Sequence, residues 1–217
     1  MILVVGGTKG GSGKSLLAAN LTILLASDGR DVLLIDADDQ GSATDFTRQR
    51  NETTCGEAGY TAVQLTGAEV ATQAKRLAPK YDDMVIDVGG RDTTSQRAAL
   101  AVANILLIPF PPRSVDLWTS DKVTQLIDEV RPFNAGLRVC AVINKGFSRG
   151  KDNEEAAEML REQAEHWRYL DTPIGDRKAF SNAFGDGLAV TEYSPRDAKA
   201  VAEIKALHRA LSSIRSV

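Results

Sequence analysis

The sequence predicts a single doubly wound α/β domain, in which a mostly parallel β-sheet is covered by helices on both faces. Short apolar runs recur along the chain and each is followed by a stretch with helical periodicity, as expected for strands buried on both faces. The length of 217 residues suits one domain. No internal repeat, low-complexity tract or linker divides the sequence, so we expect residues 1–217 to form one unit.

The predicted elements alternate regularly along the chain. A strand over residues 2–6 leads through a glycine-rich turn to a helix over 14–27. Further strands are predicted over residues 31–35, 62–65, 83–88, 105–108 and 137–143, with a helix over 66–77. Ligands of such sheets bind beyond the carboxyl ends of the strands. We therefore expect the functional residues in segments 7–15, 36–44, 87–93, 109–116 and 144–147.

The composition excludes several classes of protein. Apolar residues make up 43% of the chain and charged residues 25%, which is typical of a globular domain. The two cysteines, Cys55 and Cys140, are too few and too far apart for a disulfide framework or a four-thiolate zinc site. The longest apolar runs are far shorter than the ~20 residues of a membrane-spanning helix, and the N-terminus lacks the basic start of a secretory signal. We expect a cytoplasmic protein.

The segment after the first strand, residues 7–15, reads Gly-Thr-Lys-Gly-Gly-Ser-Gly-Lys-Ser and is called the phosphate loop below. Glycines let consecutive backbone N–H groups converge on an anion at the start of a helix. Lys14 can reach the β- and γ-phosphates of a nucleotide, and the Ser15 hydroxyl can bind Mg²⁺. The loop therefore predicts a nucleotide triphosphate site.

Two later strands end on acidic residues. The second strand runs into Asp36, followed by Asp38 and then by Gln-Gly. A later strand ends on Asp87, which the glycine pair Gly89 and Gly90 follows. A carboxylate at the end of an apolar strand can hold Mg²⁺ through water, and paired glycines allow a close approach to the γ-phosphate.

Together these three segments resemble the ParA/MinD family of deviant Walker-A ATPases. The strict phosphate-loop pattern has glycine where this chain has Thr8, whereas the deviant form Lys-Gly-Gly-x-Gly-Lys-Ser/Thr, which begins at Lys9, matches. Asp39 departs from the family, which commonly has proline there. The resemblance implies binding of ATP and Mg²⁺, placement of the attacking water by Asp38, and a position near the metal for Asp36.

Two weaker resemblances lie after the later strands. Residues 108–118 resemble a family segment near the dimer face, which includes Asp116. Asn144 resembles the family asparagine whose amide can read adenine. The predicted nucleotide ligands are therefore Lys9, Gly10, Gly11, Ser12, Gly13, Lys14, Ser15, Leu16 and Asn144. The predicted metal site comprises Ser15, Asp36, Asp38 and Asp87, and the predicted catalytic residues are Lys9, Lys14 and Asp38.

The last helix carries an apolar stripe opposite a basic face. The stripe consists of Val201, Ile204, Leu207, Leu211 and Ile214. The basic face consists of Lys199, Lys205 and Arg209. The phosphate loop begins within ten residues of Met1, so we expect no N-terminal DNA-reading domain. Any contact with DNA would then be non-specific, through phosphates, although a merely solvated helix face is equally compatible with the pattern.

The leading hypothesis is an ATPase that segregates DNA or positions a protein cargo. ATP would drive homodimerisation and non-specific binding to nucleoid DNA, and a centromere-binding or cargo-adaptor protein would stimulate slow hydrolysis. The first alternative is a MinD-like membrane-associated ATPase, although the tail lacks Phe and Trp and predicts no stable membrane insertion. The second is a metabolic enzyme on the same scaffold. Lys9 disfavours it, because a second lysine in this loop serves mainly the dimerising members of the family.

Overall fold

The computed structural model describes residues 1–90, 93–114 and 117–215 of the chain. The side chains of residues 114, 117–120 and 215 are not described. Asp116, predicted near a dimer face, lies outside the described residues. The strands are β1 (Ile2–Val5), β2 (Val32–Ala37), β3 (Thr61–Gln64), β4 (Asp83–Val88), β5 (Ile105–Phe110), β6 (Arg138–Ile143) and β7 (Arg168–Tyr169). The helices are α1 (Lys14–Ser27), α2 (Ser42–Thr53), α3 (Glu69–Leu77), α4 (Thr94–Leu100), α5 (Leu117–Val130), α6 (Asp152–Glu162), α7 (Lys178–Gly185) and α8 (Ala198–Arg215).

The strands form one seven-stranded sheet in the order β3-β2-β4-β1-β5-β6-β7, and every strand pair is parallel. The predicted doubly wound α/β fold is thus confirmed. β1 lies between β4 and β5, so the loop that follows β1 emerges near the centre of the carboxyl edge of the sheet. Asp36 on β2 and Asp87 on β4 are register partners at that edge.

Apolar side chains on the two sheet faces form two cores. One core joins the sheet to α3, α4, α5 and α6, and the other joins it to α1, α2, α7 and α8. β2, β4 and β5 are buried throughout, which explains why their sequences are mainly apolar. The apolar stripe of α8 is buried against the second core, and Lys199, Lys205 and Arg209 are exposed, as the sequence predicted.

Several predicted boundaries differ from the structure. α3 begins at Glu69 rather than at residue 66, because Gly67 adopts a left-handed backbone with φ of 60° and interrupts the helix. β2 and β5 each continue two residues beyond their predicted ends, so Asp36 lies within its strand rather than after it. β7 escaped prediction, because two residues cannot display an alternating pattern.

Candidate functional site

The phosphate loop curls between the end of β1 and the start of α1. Gly13 has a φ of 86°, and its carbonyl accepts the Leu17 N–H at 3.1 Å in the first turn of α1. A Cβ atom at this position would lie 2.3 Å from Nδ2 of Asn144. Only glycine fits here, because both the backbone conformation and the neighbouring side chain exclude a Cβ atom.

Lys14, in the first turn of α1, is folded back along its own loop. Its Nζ donates a hydrogen bond to the Lys9 carbonyl at 2.9 Å, and the Ser12 hydroxyl donates to the same oxygen at 3.3 Å. Burial lowers the pKa of the Lys14 ammonium, and the nearby carboxylates of Asp87 and Asp38 oppose that shift. The predicted phosphate-binding lysine is therefore buried beside two acidic groups.

Lys9 differs from Lys14 in where its side chain lies. Its carbonyl anchors the loop, but its side chain is exposed. Within the described part of the chain, the Lys9 ammonium has no hydrogen bond or ion pair. The two lysines of the loop therefore face different surroundings, one within the protein and one in solvent.

Asn144 and Lys145, which follow β6, donate hydrogen bonds from their side chains to the backbone of the phosphate loop. Asn144 is buried and its Nδ2 donates to the Ser12 carbonyl at 2.6 Å. Lys145 Nζ donates to the Gly11 carbonyl at 2.8 Å. The structure thus places Asn144 against the loop backbone, and its predicted contact with adenine stays a prediction. The sequence did not single out Lys145, since nothing local to residue 145 signals a partner so distant along the chain.

Asp36 holds the segment that follows β2. One oxygen, Oδ2, accepts both the backbone N–H of Thr44 at 2.7 Å and its hydroxyl at 2.8 Å. The other oxygen accepts the Asp38 N–H at 3.2 Å. Both oxygens of this buried carboxylate are therefore engaged by the chain itself.

Asp38 projects toward the glycine pair after β4. Its Oδ1 accepts the Gln40 N–H at 3.1 Å, which orients the carboxylate. A Cβ atom on Gly89 would lie 3.2 Å from that same oxygen. The carboxylate thus stands directly beside the backbone that follows Asp87, and it is only partly buried.

Asp87 is fully buried, and neither of its carboxylate oxygens has a hydrogen-bond partner of normal geometry among the described residues. Burial raises the pKa of Asp87 to about 7, and the nearby Ser15 hydroxyl favours the charged form. The Asp36 carboxylate raises that pKa further and the Lys14 ammonium lowers it. A buried anion without hydrogen bonds is unfavourable unless a cation compensates it.

An open cleft of 930 Å³ lies beside the phosphate loop. Of the predicted site residues, the cleft is lined by Gly10, Gly11, Gly13, Lys14, Ser15, Leu16 and Asp38. Lys145, which lies in the predicted segment 144–147 but was given no role, and Phe184, which was not predicted, also line it. Phe184 comes from α7 and stacks on Phe46 of α2, with ring centroids 4.8 Å apart. Its role depends on packing between distant helices, so no sequence motif marks it.

The oxygen groups beside the cleft fit a divalent cation of the Mg²⁺ type. Mg²⁺ prefers hard oxygen ligands and keeps several of its waters. The Ser15 hydroxyl lies near the buried Asp87 carboxylate, whose oxygens have no hydrogen-bond partner of normal geometry among the described residues. The chemistry of this donor set therefore suits Mg²⁺ bound together with a phosphate chain.

Comparison with known proteins identifies the family. Residues 3–190 match the model of the CobQ/CobB/MinD/ParA nucleotide binding domain, which spans most of the chain. The chain belongs to this family of ParA and MinD-like ATPases. Its members include positioning and partition proteins, and solved structures of relatives hold ATP, or an ATP analog with magnesium. The resemblance drawn from the phosphate loop is confirmed.

Similar proteins come from more than one functional class. The maintenance of carboxysome distribution protein A of Halothiobacillus neapolitanus is 25% identical over 203 residues, which cover 93% of this chain and 92% of the relative. The Cyanothece McdA–ATP complex has a TM-score of 0.78 at 20% identity, with 97% of this chain and 96% of that one covered. Cobyrinic acid a,c-diamide synthase from Mycobacterium smegmatis, with a bound ATP analog and magnesium, reaches 0.75 at 18% identity over 97% and 93%. ParA/MinD-family folds thus serve both positioning proteins and a synthase.

Within residues 1–90, 93–114 and 117–215, no helix combines the length and apolar character that crossing a bilayer requires.

Proposed function

We propose that this ParA/MinD-family chain is an ATP-hydrolysing, ATP-dimerised positioning protein that binds DNA non-specifically. One arrangement carries the proposal: the buried Lys14 and the oriented Asp38 line the cleft beside the phosphate loop, and the buried Asp87 carboxylate lies close to Lys14 without a hydrogen-bond partner of normal geometry among the described residues. Positive charge, a water-orienting carboxylate and a metal-facing carboxylate are the groups that phosphoryl transfer from a nucleotide requires.

In the proposed complex, backbone N–H groups from Gly10 to Leu16 bind the phosphates. The Lys14 ammonium exchanges its hydrogen bond with the Lys9 carbonyl for contacts with the phosphates, whose charge it neutralises. The exchange costs little free energy, because one polar partner replaces another. The amide nitrogen of Asn144 keeps its hydrogen bond to the Ser12 carbonyl. The amide oxygen of Asn144 is then left to face the base.

The metal in this proposal is held by Ser15 and, through water, by Asp87. Bound Mg²⁺ neutralises charge on the β- and γ-phosphates. Asp36 holds the segment from Asp38 to Thr44 through its hydrogen bonds and lies near the metal rather than facing it with a free oxygen. This arrangement lets Asp38 place the attacking water in line with the γ-phosphorus, because its oxygen is already oriented by the Gln40 N–H.

Dimerisation is proposed to involve Lys9, and DNA binding to involve α8. The Lys9 side chain is exposed to solvent, so it is available to contact the phosphates of a second copy. Lys199, Lys205 and Arg209 are exposed, and none forms an ion pair within the described structure. Two copies of such a modest basic face bind a polyanion together more strongly than one, which supports DNA binding by the dimer and association with the nucleoid.

The alternatives receive less support from the structure. A MinD-like membrane contact needs a free apolar helix face, whereas Leu207, Leu211 and Ile214 of α8 are buried in the core. A metabolic enzyme shares the fold, so the fold does not discriminate against it; the exposed Lys9 favours the dimerising class. The carboxysome-distribution relative supports a protein assembly as one class of cargo, and a plasmid or chromosome remains the other.

Calorimetric titration of ATP–Mg²⁺ tests the nucleotide site. We expect the wild type to bind and Lys14→Ala to lose binding, because backbone N–H groups alone do not compensate the phosphate charge. Lys151→Ala, which changes an exposed lysine at the start of α6, is the matched control and should bind as the wild type does. Equal affinity for Lys14→Ala and the control would overturn the assignment.

A DNA co-sedimentation assay tests the rest of the proposal. With a non-hydrolysable ATP analogue we expect binding to random-sequence duplex DNA that falls with salt, and with ADP little binding. The triple change of Lys199, Lys205 and Arg209 to alanine should reduce retention without affecting dimerisation by light scattering. Retention that is identical with ADP and with the analogue, or unaffected by the triple change, would exclude nucleotide-switched binding through α8.

A further inference from the structure

Lys145 has an unusual backbone for a residue with a long side chain. Its φ is 57°, and among the described residues it is one of two non-glycine positions with positive φ, the other being Cys55. This conformation is unfavourable for residues with a Cβ atom and persists only where the surroundings impose it.

The surroundings of Lys145 do impose it. On one side, the Asn144 N–H donates to the Phe110 carbonyl at 2.9 Å. On the other side, the Gly146 N–H donates to the Ile174 carbonyl at 2.8 Å, and the Gly146 carbonyl accepts the Asp176 N–H at 2.8 Å. Because the backbone is fixed on both sides, the lysine side chain is aimed across the edge of the sheet at the phosphate loop.

The contact that results is directional. Lys145 Nζ donates to the Gly11 carbonyl at 2.8 Å, and Asn144 Nδ2 donates to the next carbonyl, that of Ser12, at 2.6 Å. Consecutive side chains thus hold consecutive carbonyls of the loop. In a trans peptide the carbonyl of one residue and the N–H of the next point in opposite directions. Holding the Gly11 and Ser12 carbonyls toward residues 144 and 145 therefore turns the N–H groups of Ser12 and Gly13 away from those two side chains.

The contact is not explained by stability alone. Lys145 is exposed, and fixing a lysine side chain costs conformational entropy comparable to the gain from one solvent-exposed hydrogen bond. Gly11 itself has a φ of 72°, and a Cβ atom at this position would meet nothing within 4 Å, so side-chain packing does not restrain this peptide. The Lys145 contact supplies a restraint at a point where the loop is loosely surrounded.

We propose that Lys145 is a positioning residue for nucleotide binding: by holding the Gly11 carbonyl, its ammonium fixes the direction of the Ser12 N–H for a phosphate group. The inference rests on the proposed function, in that the phosphate loop binds a nucleotide. It concerns preorganisation of the loop, so its effect falls on the phosphate part of the ligand and not on the base.

Two substitutions at position 145 separate positioning from folding. Asparagine adopts left-handed backbone readily but is too short to reach Gly11, so Lys145→Asn removes the contact without adding strain. Arginine keeps a long cationic donor, so Lys145→Arg should restore the contact. Lys151→Asn, at the exposed start of α6, is the matched control.

The experiment measures affinity for ADP and for inorganic pyrophosphate, both with Mg²⁺, together with the thermal unfolding midpoint. For Lys145→Asn we expect roughly a tenfold loss of affinity for both ligands, as for one charge-assisted hydrogen bond, and no decrease in the midpoint. Lys145→Arg should lie within about threefold of the wild type, and the control should equal it.

Each contrary outcome has a defined meaning. Wild-type affinity in Lys145→Asn would overturn the inference. Weaker ADP binding with unchanged pyrophosphate binding would assign Lys145 to the base instead of the phosphates. A thermal unfolding midpoint that falls together with the affinity would make the residue merely structural. Either result would overturn the positioning role. A wild-type protein that binds neither ligand would refute the proposed function itself, which keeps the two failures distinct.

Discussion

Gly90, after β4, packs so closely on Gly10 of the phosphate loop that a Cβ atom on Gly90 would lie 2.7 Å from both the backbone nitrogen and the Cα atom of Gly10. Asp87, three residues earlier, is fully buried at the end of β4. The segment after β4 and the phosphate loop are therefore in direct backbone contact. A displacement of either segment moves the other, since close-packed groups transmit displacement.

Gly90→Ala should weaken nucleotide binding more than it weakens the fold. The φ of Gly90 lies outside the left-handed region, so alanine fits its backbone, and the whole penalty comes from displacement of the phosphate loop. We expect roughly a tenfold or greater loss of ADP affinity in a titration, with a shift of only a few degrees in the unfolding midpoint. Gly185→Ala is the control, because a Cβ atom there meets nothing within 4 Å. Normal ADP affinity for Gly90→Ala would show that the contact is not transmitted.

The sequence predicts the acidic and glycine-rich parts of the site, because each is a short motif at the end of a buried strand. Asp36 and Asp87 could be placed side by side from strand order alone, since parallel strands end at one edge. The contact of Lys145 with Gly11 could not be predicted, because it joins positions 134 residues apart through a backbone conformation that lysine rarely adopts. Phe184 escaped prediction for the same reason, since its position depends on stacking against Phe46.

The ionisation of Asp87 should make the protein without ligands less stable as pH rises. Its pKa is raised from an ordinary 3.8 to about 7 in the folded state, so folding favours the protonated carboxyl. The unfolded chain ionises first, and stability is therefore lost as pH rises from about 4 to about 7. Above pH 7 the loss is complete, and a shift of this size corresponds to about 2–4 kcal/mol.

Asp87→Asn removes this penalty because asparagine does not ionise. In urea unfolding without Mg²⁺ or nucleotide, we expect the variant to exceed the wild type in free energy of unfolding at pH 8 and to differ far less at pH 4. The exposed Asp121, changed to asparagine, serves as the control and should keep the wild-type pH dependence. An unaltered pH dependence in Asp87→Asn would mean that another group is responsible.

Asp38→Asn should separate binding from hydrolysis. The amide oxygen of asparagine can still accept the Gln40 N–H, so the loop geometry is kept while the charge that orients water is lost. We expect ATP affinity within about threefold of the wild type and phosphate release slower by about a hundredfold or more. Release is followed in single-turnover reactions, so that binding does not limit the signal. Hydrolysis at the wild-type rate would assign the catalytic role elsewhere.

Lys9→Gln should abolish ATP-driven dimerisation and spare nucleotide binding within one subunit. Lys14 is buried beside Asp87 and, in the proposed complex, serves the phosphates of its own subunit, whereas the Lys9 side chain is exposed. In a two-fold dimer each Lys9 would reach the partner's phosphates, so one residue would supply two charge-assisted contacts. These contacts exist only in the nucleotide-bound dimer, which lets ATP shift the equilibrium between monomer and dimer. We measure mass by light scattering with a non-hydrolysable ATP analogue, alongside Lys151→Gln as a control for loss of one positive charge. A Lys9→Gln protein that dimerises as the control does would identify Lys9 as an ordinary solvated lysine.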